Sequence, residues 1–283
     1  MKKHLTVPLL LLPGVGYLLV FFGLPLFLAV AGGFGLFTLN AESRFTLGHY
    51  QSLFTDRAYR DSLLFTLYLA ITSTLFSLVV SVPLAALLQL NFVGKAVFRA
   101  IYKIPLIVPS IVAAFLVLTL LDLGGVASRW FGLVGVSLPK LVRDPLAIGT
   151  LIALAWKNIP FMTLIIGGSL ASINQDLPYA ARTLGATPFV SFLRVQVPLA
   201  LPGISAATLL VFIGNMAAFA IPNLLGPVYP LPLSIHMYQN AFELNEWGLV
   251  SAMGTFIGVV SGLVLLAYYA LTNRAQRALE GRK

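Results

Sequence analysis

Side chains able to do chemistry are few in this sequence and lie far apart. The three histidines, His4, His49 and His236, lack metal-ligand spacing, and there are no cysteines. The sequence therefore predicts no metal site, no thiol catalysis and no disulfide framework. It has no Gly-x-x-x-x-Gly-Lys-Ser/Thr loop for ATP and no Gly-x-Ser-x-Gly elbow for an intramembrane enzyme. We expect no catalytic residue and no cofactor in this chain.

One formal charge lies deep inside an apolar stretch. Lys157 interrupts the otherwise uncharged segment 146–173. A charge within a bilayer is costly and by default suggests a function. If it faces a translocation path, it would favour an anionic or neutral solute. Alternatively, the side chain reaches an interface or pairs with a backbone carbonyl.

The composition shows what must surround these residues. The chain of 283 residues is 59% hydrophobic and only 10% charged, and its mean hydropathy is +0.94. A soluble domain carries roughly 25% charged residues, so most of this surface is predicted to face lipid. The net charge of +9 comes from basic residues near the ends of apolar segments. A membrane therefore explains it better than nucleic acid does.

Six apolar segments are long enough to cross a bilayer, which takes about 20 helical residues. Their predicted ranges are 9–34, 62–90, 104–121, 146–173, 199–222 and 248–272. Because helices satisfy their own backbone in lipid, the predicted fold is an all-α polytopic bundle. No polar block is large enough to fold separately, which predicts one transmembrane domain over residues 1–283. A cleaved signal peptide is the weaker alternative for the first segment, since its apolar run exceeds the usual 7–15 residues.

Basic residues predict the orientation of the bundle. An even number of spans places both termini on one side, and that side holds most of the lysines and arginines. These are Lys2, Lys3, Lys95, Arg99, Lys103, Arg182, Arg194, Arg274, Arg277, Arg282 and Lys283. Both termini are therefore predicted to be cytoplasmic.

The segment 174–198, between the fourth and fifth spans, predicts two short helices with a break at Gly185. Asp176 places a negative charge near the first N-terminus. Gly185 is suited to a left-handed helix end, and Thr187 followed by Pro188 is typical of an N-terminus. An apolar face formed by Phe189, Phe192 and Leu193 follows at helical spacing. Such a pair suits docking into a partner's groove, or else lies as an amphipathic loop at the lipid interface.

The residue order of this segment resembles a signature of the permeases of binding-protein-dependent ABC importers. That signature is Glu-Ala-Ala-x-x-x-Gly-Ala followed by Phe-x-x-Ile-x-Leu-Pro-x-x-x-Pro. The positions in register are Ala180, Ala181, Gly185, Ala186, Phe192, Val195, Val197, Pro198 and Pro202. Tyr179 stands where the family usually has glutamate. Segments 45–54, 156–161 and 247–248 also look like the family, so the resemblance covers nearly the whole chain.

The resemblance implies a set of partners and a site that couples to them. Segment 174–198 would form coupling helices in a cleft of an ATPase subunit. Without the usual glutamate, Arg182 or Arg194 would supply polar contacts to that subunit instead. Two ATPase subunits, a second identical or homologous permease chain and an extracytoplasmic solute-binding protein would complete an importer in the inner or plasma membrane. ATP hydrolysis would take place in the partner. The implied coupling residues are Tyr179, Ala180, Ala181, Arg182, Gly185, Ala186, Phe192, Arg194 and Pro198.

The solute stays open at this point. Leucine before Gly185, rather than aspartate, resembles the polyamine, iron and phosphonate branch more than the sugar importers. A polyamine would want acids along its path, however, and the predicted spans contain none deep inside. The resemblance places the path along the fifth span, where Asn215, Phe219 and Asn223 are predicted to line it together with Lys157. Each asparagine has the alternative of an interhelical hydrogen bond, worth roughly 1 kcal/mol.

Other classes of transporter are less consistent with the sequence. A stand-alone secondary transporter usually shows internal repeats, and no clear repeat is found here.

The glycines Gly254, Gly258 and Gly262 recur every four residues in the sixth span. This spacing predicts close packing of two helices rather than a ligand site.

Overall fold

All regular secondary structure described for the chain is helical. The computed structural model describes residues 3–37 and 43–280, and the side chains of residues 10–37 and 43–270. The predicted all-α fold is confirmed within these ranges. Three of the residues used to predict orientation, Lys2, Arg282 and Lys283, lie outside the described residues.

The helices follow one another in chain order with short connections. They are α1 (Lys3–Leu18), α2 (Leu24–Gly33), α3 (Gly48–Thr55), α4 (Arg57–Leu87), α5 (Lys95–Ile101), α6 (Ile104–Ile107), α7 (Ser110–Leu121), α8 (Val126–Leu133), α9 (Ile148–Ala171), α10 (Asp176–Thr183), α11 (Pro188–Ser191), α12 (Val197–Met216), α13 (Ala220–Leu225), α14 (Leu233–Phe242) and α15 (Trp247–Glu280). Turns of π-helix join α1 to α2 and α11 to α12.

Six helical stretches of the described chain are long and apolar enough to cross a membrane, in agreement with the predicted number. They are Leu10–Gly33, Arg57–Leu87, Ser110–Leu133, Ile148–Ala171, Pro188–Met216 and Trp247–Ala270. Two of them differ in detail from the predicted ranges, and in both cases prolines are involved.

The third predicted span, 104–121, is interrupted near its start. The short helix α6 ends at Ile107, and Val108 is extended with φ −72° and ψ 124°. The next helix begins only after Pro109. A proline has no N–H to continue a helix, and it pushes the preceding residue out of the helical region. The sequence Val108-Pro109 therefore divides the predicted span into α6 and α7.

The fifth predicted span, 199–222, starts earlier and ends earlier than expected. Its helix begins at Pro188 and runs through the π-helical turn Phe192–Gln196 into α12. The second short helix of the loop is thus continuous with the span. Pro198 lies in the first turn of α12, where its missing N–H costs little. The helix ends at Met216, and the short α13 follows.

The chain folds into two compact units. The first comprises residues 1–63 and 233–260. Its buried apolar core contains Leu53, Leu63, Leu233, Leu249, Ala252 and Met253. Burial lowers the pKa of the His236 imidazole in this unit, and the nearby Asp56 carboxylate partly opposes that shift. In the predicted glycine stripe, of which Gly254 and Gly258 lie in this unit and Gly262 in the second, a Cβ on Gly254 would meet Met237 in ordinary contact. Cβ atoms on Gly258 and Gly262 would meet nothing within 4 Å.

The second unit comprises residues 64–232 and 261–283, and its main core lies between α4, α9 and α12. The members of this core are Ala85, Met162, Ile166, Leu170, Ala200, Ile204, Ala207 and Val211. Helices α9 and α12 approach each other closely at Gly203, where an added Cβ would overlap the side chain of Ser169. The prediction that residues 1–283 form one transmembrane domain stays a prediction.

Candidate functional site

The loop between the fourth and fifth spans ends its first helix as the sequence predicts. Helix α10 is followed by Gly185 in the left-handed region, with φ +90°. The Gly185 N–H donates to the carbonyl of Arg182 at 3.0 Å, and the Ala186 N–H donates to that of Ala181 at 3.1 Å. These two bonds form a Schellman motif, which requires the left-handed residue. The predicted break at Gly185 is confirmed.

The second short helix also begins as predicted. Thr187 is extended, and its side-chain oxygen accepts a hydrogen bond from the Val190 N–H at 3.3 Å. Pro188 occupies the first turn. An N-cap of this kind satisfies one of the N–H groups that a helix start leaves without partners. The predicted N-terminus at Thr187 is confirmed.

A buried hydrogen bond ties the two short helices together. The Ser191 hydroxyl donates to the Pro178 carbonyl at 3.1 Å, and both residues are buried. Beside this contact a groove of about 680 Å³ runs between the loop and the end of α4. It is lined by residues of α4 and its end, such as Leu87 and Gln89, and of the loop, such as Tyr179 and Arg182. The pair is thus a compact unit whose geometry depends on the turn at Gly185.

Most of the predicted coupling residues are exposed. Tyr179, Ala180, Arg182, Gly185, Arg194 and Pro198 are exposed, whereas Ala181, Ala186 and Phe192 are partly buried. The loop also exposes large apolar side chains: Leu184 is 89% exposed and Phe189 is 69% exposed. A patch of exposed apolar groups, interspersed with arginine, is typical of a surface that contacts another protein.

Lys157 is paired with backbone carbonyls. Its Nζ donates to the carbonyl of Pro105 at 2.9 Å and to that of Val108. Both acceptors belong to the interrupted start of the third span. Carbonyl pairing, one of the two interpretations left open by the sequence, is therefore present in the structure. Contact of Lys157 with a solute stays a prediction.

Asn215 is buried in a polar network that joins three spans. Its side-chain N–H groups donate to the hydroxyls of Ser73 at 2.8 Å and Thr74 at 3.1 Å. Its carbonyl oxygen accepts from the amide of Asn158 at 3.0 Å. Asn158 lies next to Lys157 and was not singled out from the sequence, because nothing local distinguishes it from a lone polar residue in an apolar span. The network joins α4, α9 and α12.

The remaining predicted path residues lie beyond the end of α12. Phe219 is partly buried, and Asn223 is exposed on the short helix α13. The backbone between Met216 and Ala220 is irregular. Irregular backbone at membrane depth is tolerated where it is buried in protein or lines a cavity. Lining of a path by Asn215, Phe219 and Asn223 stays a prediction.

The network at Asn215 predicts a difference between two asparagines. Asn215→Leu removes three interhelical hydrogen bonds and is expected to lower the free energy of unfolding in detergent by about 2 kcal/mol. The matched control Asn223→Leu changes an exposed residue and is expected to alter it by less than about 0.5 kcal/mol. Titrated unfolding of both purified variants measures the difference. Equal losses in the two variants would contradict the assignment.

Comparison with known proteins places this chain in a family. Residues 78–282 match the family model described as binding-protein-dependent transport system inner membrane component. This range includes the loop 174–198, the bonded pair Asn158 and Asn215, and both carbonyl partners of Lys157. The chain belongs to this family. The permease is therefore a multi-pass inner-membrane protein and the permease subunit of an ABC importer, a subunit that is not itself catalytic. The predicted family is confirmed.

Individual relatives match between 76% and 94% of the permease. It is 27% identical over 274 residues to the spermidine/putrescine transport system permease protein PotB of Escherichia coli, covering 94% of this chain and 98% of that protein. It is 32% identical over 235 residues to the inner membrane ABC transporter permease protein YdcU of E. coli, covering 77% of this chain and 74% of that protein. A third relative is the molybdenum transport system permease protein ModB of Haemophilus influenzae, 28% identical, covering 76% and 93%.

Solved structures share the fold. A chain of a bacterial ABC transporter that imports the acidic polysaccharide alginate superposes on the permease with a TM-score of 0.81, covering 96% of each chain at 20% identity. A chain of the MetNI methionine ABC transporter, in an inward-facing conformation, superposes with a TM-score of 0.57 at 21% identity. The superposition covers 76% of the permease and 94% of that chain. At these identities the likeness is one of fold.

Proposed function

We propose that the permease forms the translocation path for a polyamine-type solute. The observation that carries this proposal is the similarity to PotB, which extends over 94% of the chain. Leucine rather than aspartate before Gly185 is consistent with the same branch. This first proposal concerns the solute only, since the role of an importer permease follows from the family.

The contacts of Lys157 weaken one physical objection to a polycationic solute. A free ammonium deep in the path would repel a polyamine and attract an anion. The Lys157 ammonium instead donates to the carbonyls of Pro105 and Val108, whose dipoles offset part of its charge. A polyamine would then be bound by neutral groups. The exposed amide of Asn223 would offer an oxygen, and Phe219 would offer the face of its aromatic ring. Asn215 becomes accessible to a solute only when its network opens.

The loop 174–198 is proposed as the element that couples the permease to ATP hydrolysis. Exposed Tyr179, Leu184 and Phe189 would enter a cleft of a separate ATPase subunit. Arg182 or Arg194, which are both exposed, would supply polar contacts to the ATPase in place of the absent glutamate. The helix α11 continues into α12. A push on the loop would therefore act on the fifth span through unbroken helix.

The complete importer would contain further subunits. We expect two ATPase subunits, a second permease chain that is identical or homologous, and an extracytoplasmic solute-binding protein. Both termini and the loop 174–198 would then be cytoplasmic. Six spans and the predicted bias of lysine and arginine support this orientation.

Uptake by the reconstituted complex tests the solute. The permease, purified with its ATPase and binding protein, is placed in liposomes that contain ATP, and labelled spermidine, a neutral disaccharide and molybdate are offered in parallel. We expect ATP-dependent accumulation of spermidine alone. Accumulation of the sugar or the oxyanion without spermidine would overturn the polyamine proposal and leave the permease role intact. No ATP-dependent accumulation of any of the three solutes would also overturn the polyamine proposal.

A further inference from the structure

The start of the third span leaves two carbonyls without helical donors. In a helix the Pro105 carbonyl would accept a hydrogen bond from the N–H of residue 109, but Pro109 has none. The first backbone bond of α7 runs from the Ala113 N–H to the Pro109 carbonyl at 3.0 Å. The Val108 carbonyl precedes that bond and is turned out of the helix by the extended ψ of 124°.

Lys157 donates to the same two carbonyls. Its Nζ lies 2.9 Å from the Pro105 oxygen and also bonds the Val108 oxygen. A carbonyl without a partner in an apolar surrounding costs several kcal/mol. An ammonium without acceptors in a membrane-spanning helix is costly as well. The helix break and the lysine therefore satisfy each other, although they are separated by about 50 residues of sequence.

We infer that Lys157 is a positioning residue that clamps the break between α6 and α7 to the fourth span. Helices α6 and α7 both pack on α9, the helix that carries Lys157. The neighbouring Asn158 bonds Asn215 of α12. One turn of α9 thus holds the start of the third span on one side and the fifth span on the other. The effect of this clamp on transport rests on the proposed function, whereas the clamp as a structural contact does not.

A double-mutant cycle at positions 109 and 157 tests the clamp. Pro109→Ala supplies the missing N–H and allows Val108 to return to a helical conformation, so the carbonyls regain a backbone donor. Lys157→Met removes the ammonium and keeps an unbranched apolar side chain of similar length. Lys157→Arg retains charge and donors. These three variants and the double variant Pro109→Ala/Lys157→Met are made in the full-length permease and purified as the assembled complex.

The clamp predicts that the cost of losing Lys157 depends on Pro109. Lys157→Met alone is expected to lower the midpoint of thermal unfolding by about 5 °C and to reduce the maximal uptake rate while leaving KM unchanged. In the Pro109→Ala background, Lys157→Met should lower the midpoint of thermal unfolding by less than half as much. Lys157→Arg should unfold at nearly the same temperature as the original protein and keep most of its maximal uptake rate.

Two outcomes overturn the clamp if the Lys157→Met variant folds. One is an equal loss from Lys157→Met in both backgrounds. The other is a Lys157→Met variant with an unchanged midpoint and a KM raised tenfold or more, which would make Lys157 a solute contact. If Lys157→Met alone yields no folded complex, its recovery by Pro109→Ala supports the clamp, and failure to recover overturns it. The midpoints do not depend on the identity of the solute, so a failed clamp is distinguishable from a failed polyamine proposal.

Discussion

A permease with Gly185→Val is expected to insert and assemble normally but to lose ATP-driven uptake by about tenfold or more. Gly185 has φ +90°, a conformation that a β-branched residue adopts only at considerable cost. A Cβ at this position would meet nothing within 4 Å in the chain itself. The effect should therefore act through the backbone, because relief of the strain breaks the Schellman bonds and turns α10 away from α11. Uptake by reconstituted liposomes, with ATPase activity measured alongside, records the loss.

Gly94→Val is the matched control for this change. Gly94 has φ +84°, and a Cβ there would also meet nothing within 4 Å. The substitution introduces the same backbone strain in the loop between the second and third spans, outside segment 174–198. We expect uptake within about twofold of the original protein. Wild-type uptake by the Gly185→Val permease would overturn the coupling role of this loop.

The Gly203→Ala permease is expected to unfold at a temperature about 5 °C lower than the original protein. A Cβ at Gly203 would overlap both the Cβ and the Oγ of Ser169. The Ser169 Cβ is fixed to the backbone of α9 and cannot swing away as the end of a long side chain could. The helices α9 and α12 must therefore separate, which loosens the core between them and lowers stability. Thermal unfolding of the purified permease in detergent measures the shift.

Two further variants make this result specific to the helix contact. Gly214 lies on the same helix as Gly203, and a Cβ there meets nothing within 4 Å. Gly214→Ala is expected to leave the midpoint unchanged or to raise it slightly, since alanine favours helix by about 1 kcal/mol. Ser169→Gly in the Gly203→Ala background removes the clashing atoms and should restore most of the midpoint. No recovery in that double variant would show that the close approach is not the cause.

Features that depend on neighbouring residues in sequence were predicted well. The six spans follow from the apolar runs, whose length alone decides whether a helix can cross the bilayer. The left-handed turn at Gly185 and the N-cap at Thr187 are also local, because each rests on the backbone preferences and short hydrogen bonds of a few consecutive residues. The signature in segment 174–198 indicated the family for the same reason.

Features that depend on two prolines were predicted only in part. The run 104–121 contains Pro109 in an otherwise apolar stretch, and apolarity alone suggested one span. The structure divides it at Val108. The predicted start of the fifth span at residue 199 is likewise replaced by a helix that begins at Pro188. Proline both starts and interrupts helices, and which of the two occurs depends on whether other groups satisfy the exposed carbonyls.

The sequence by itself determined that this protein crosses a membrane with six helices and belongs to a family of importer permeases. Only the tertiary structure decided which groups the few polar residues in the spans bond. The acceptors of Lys157 lie about 50 residues away, and the hydroxyl that Asn215 bonds lies 142 residues away. In the apolar interior a polar group must find a partner, but hydropathy along the chain does not indicate which distant residue is brought within reach. The packing of α4, α7 and α12 around α9 makes that choice.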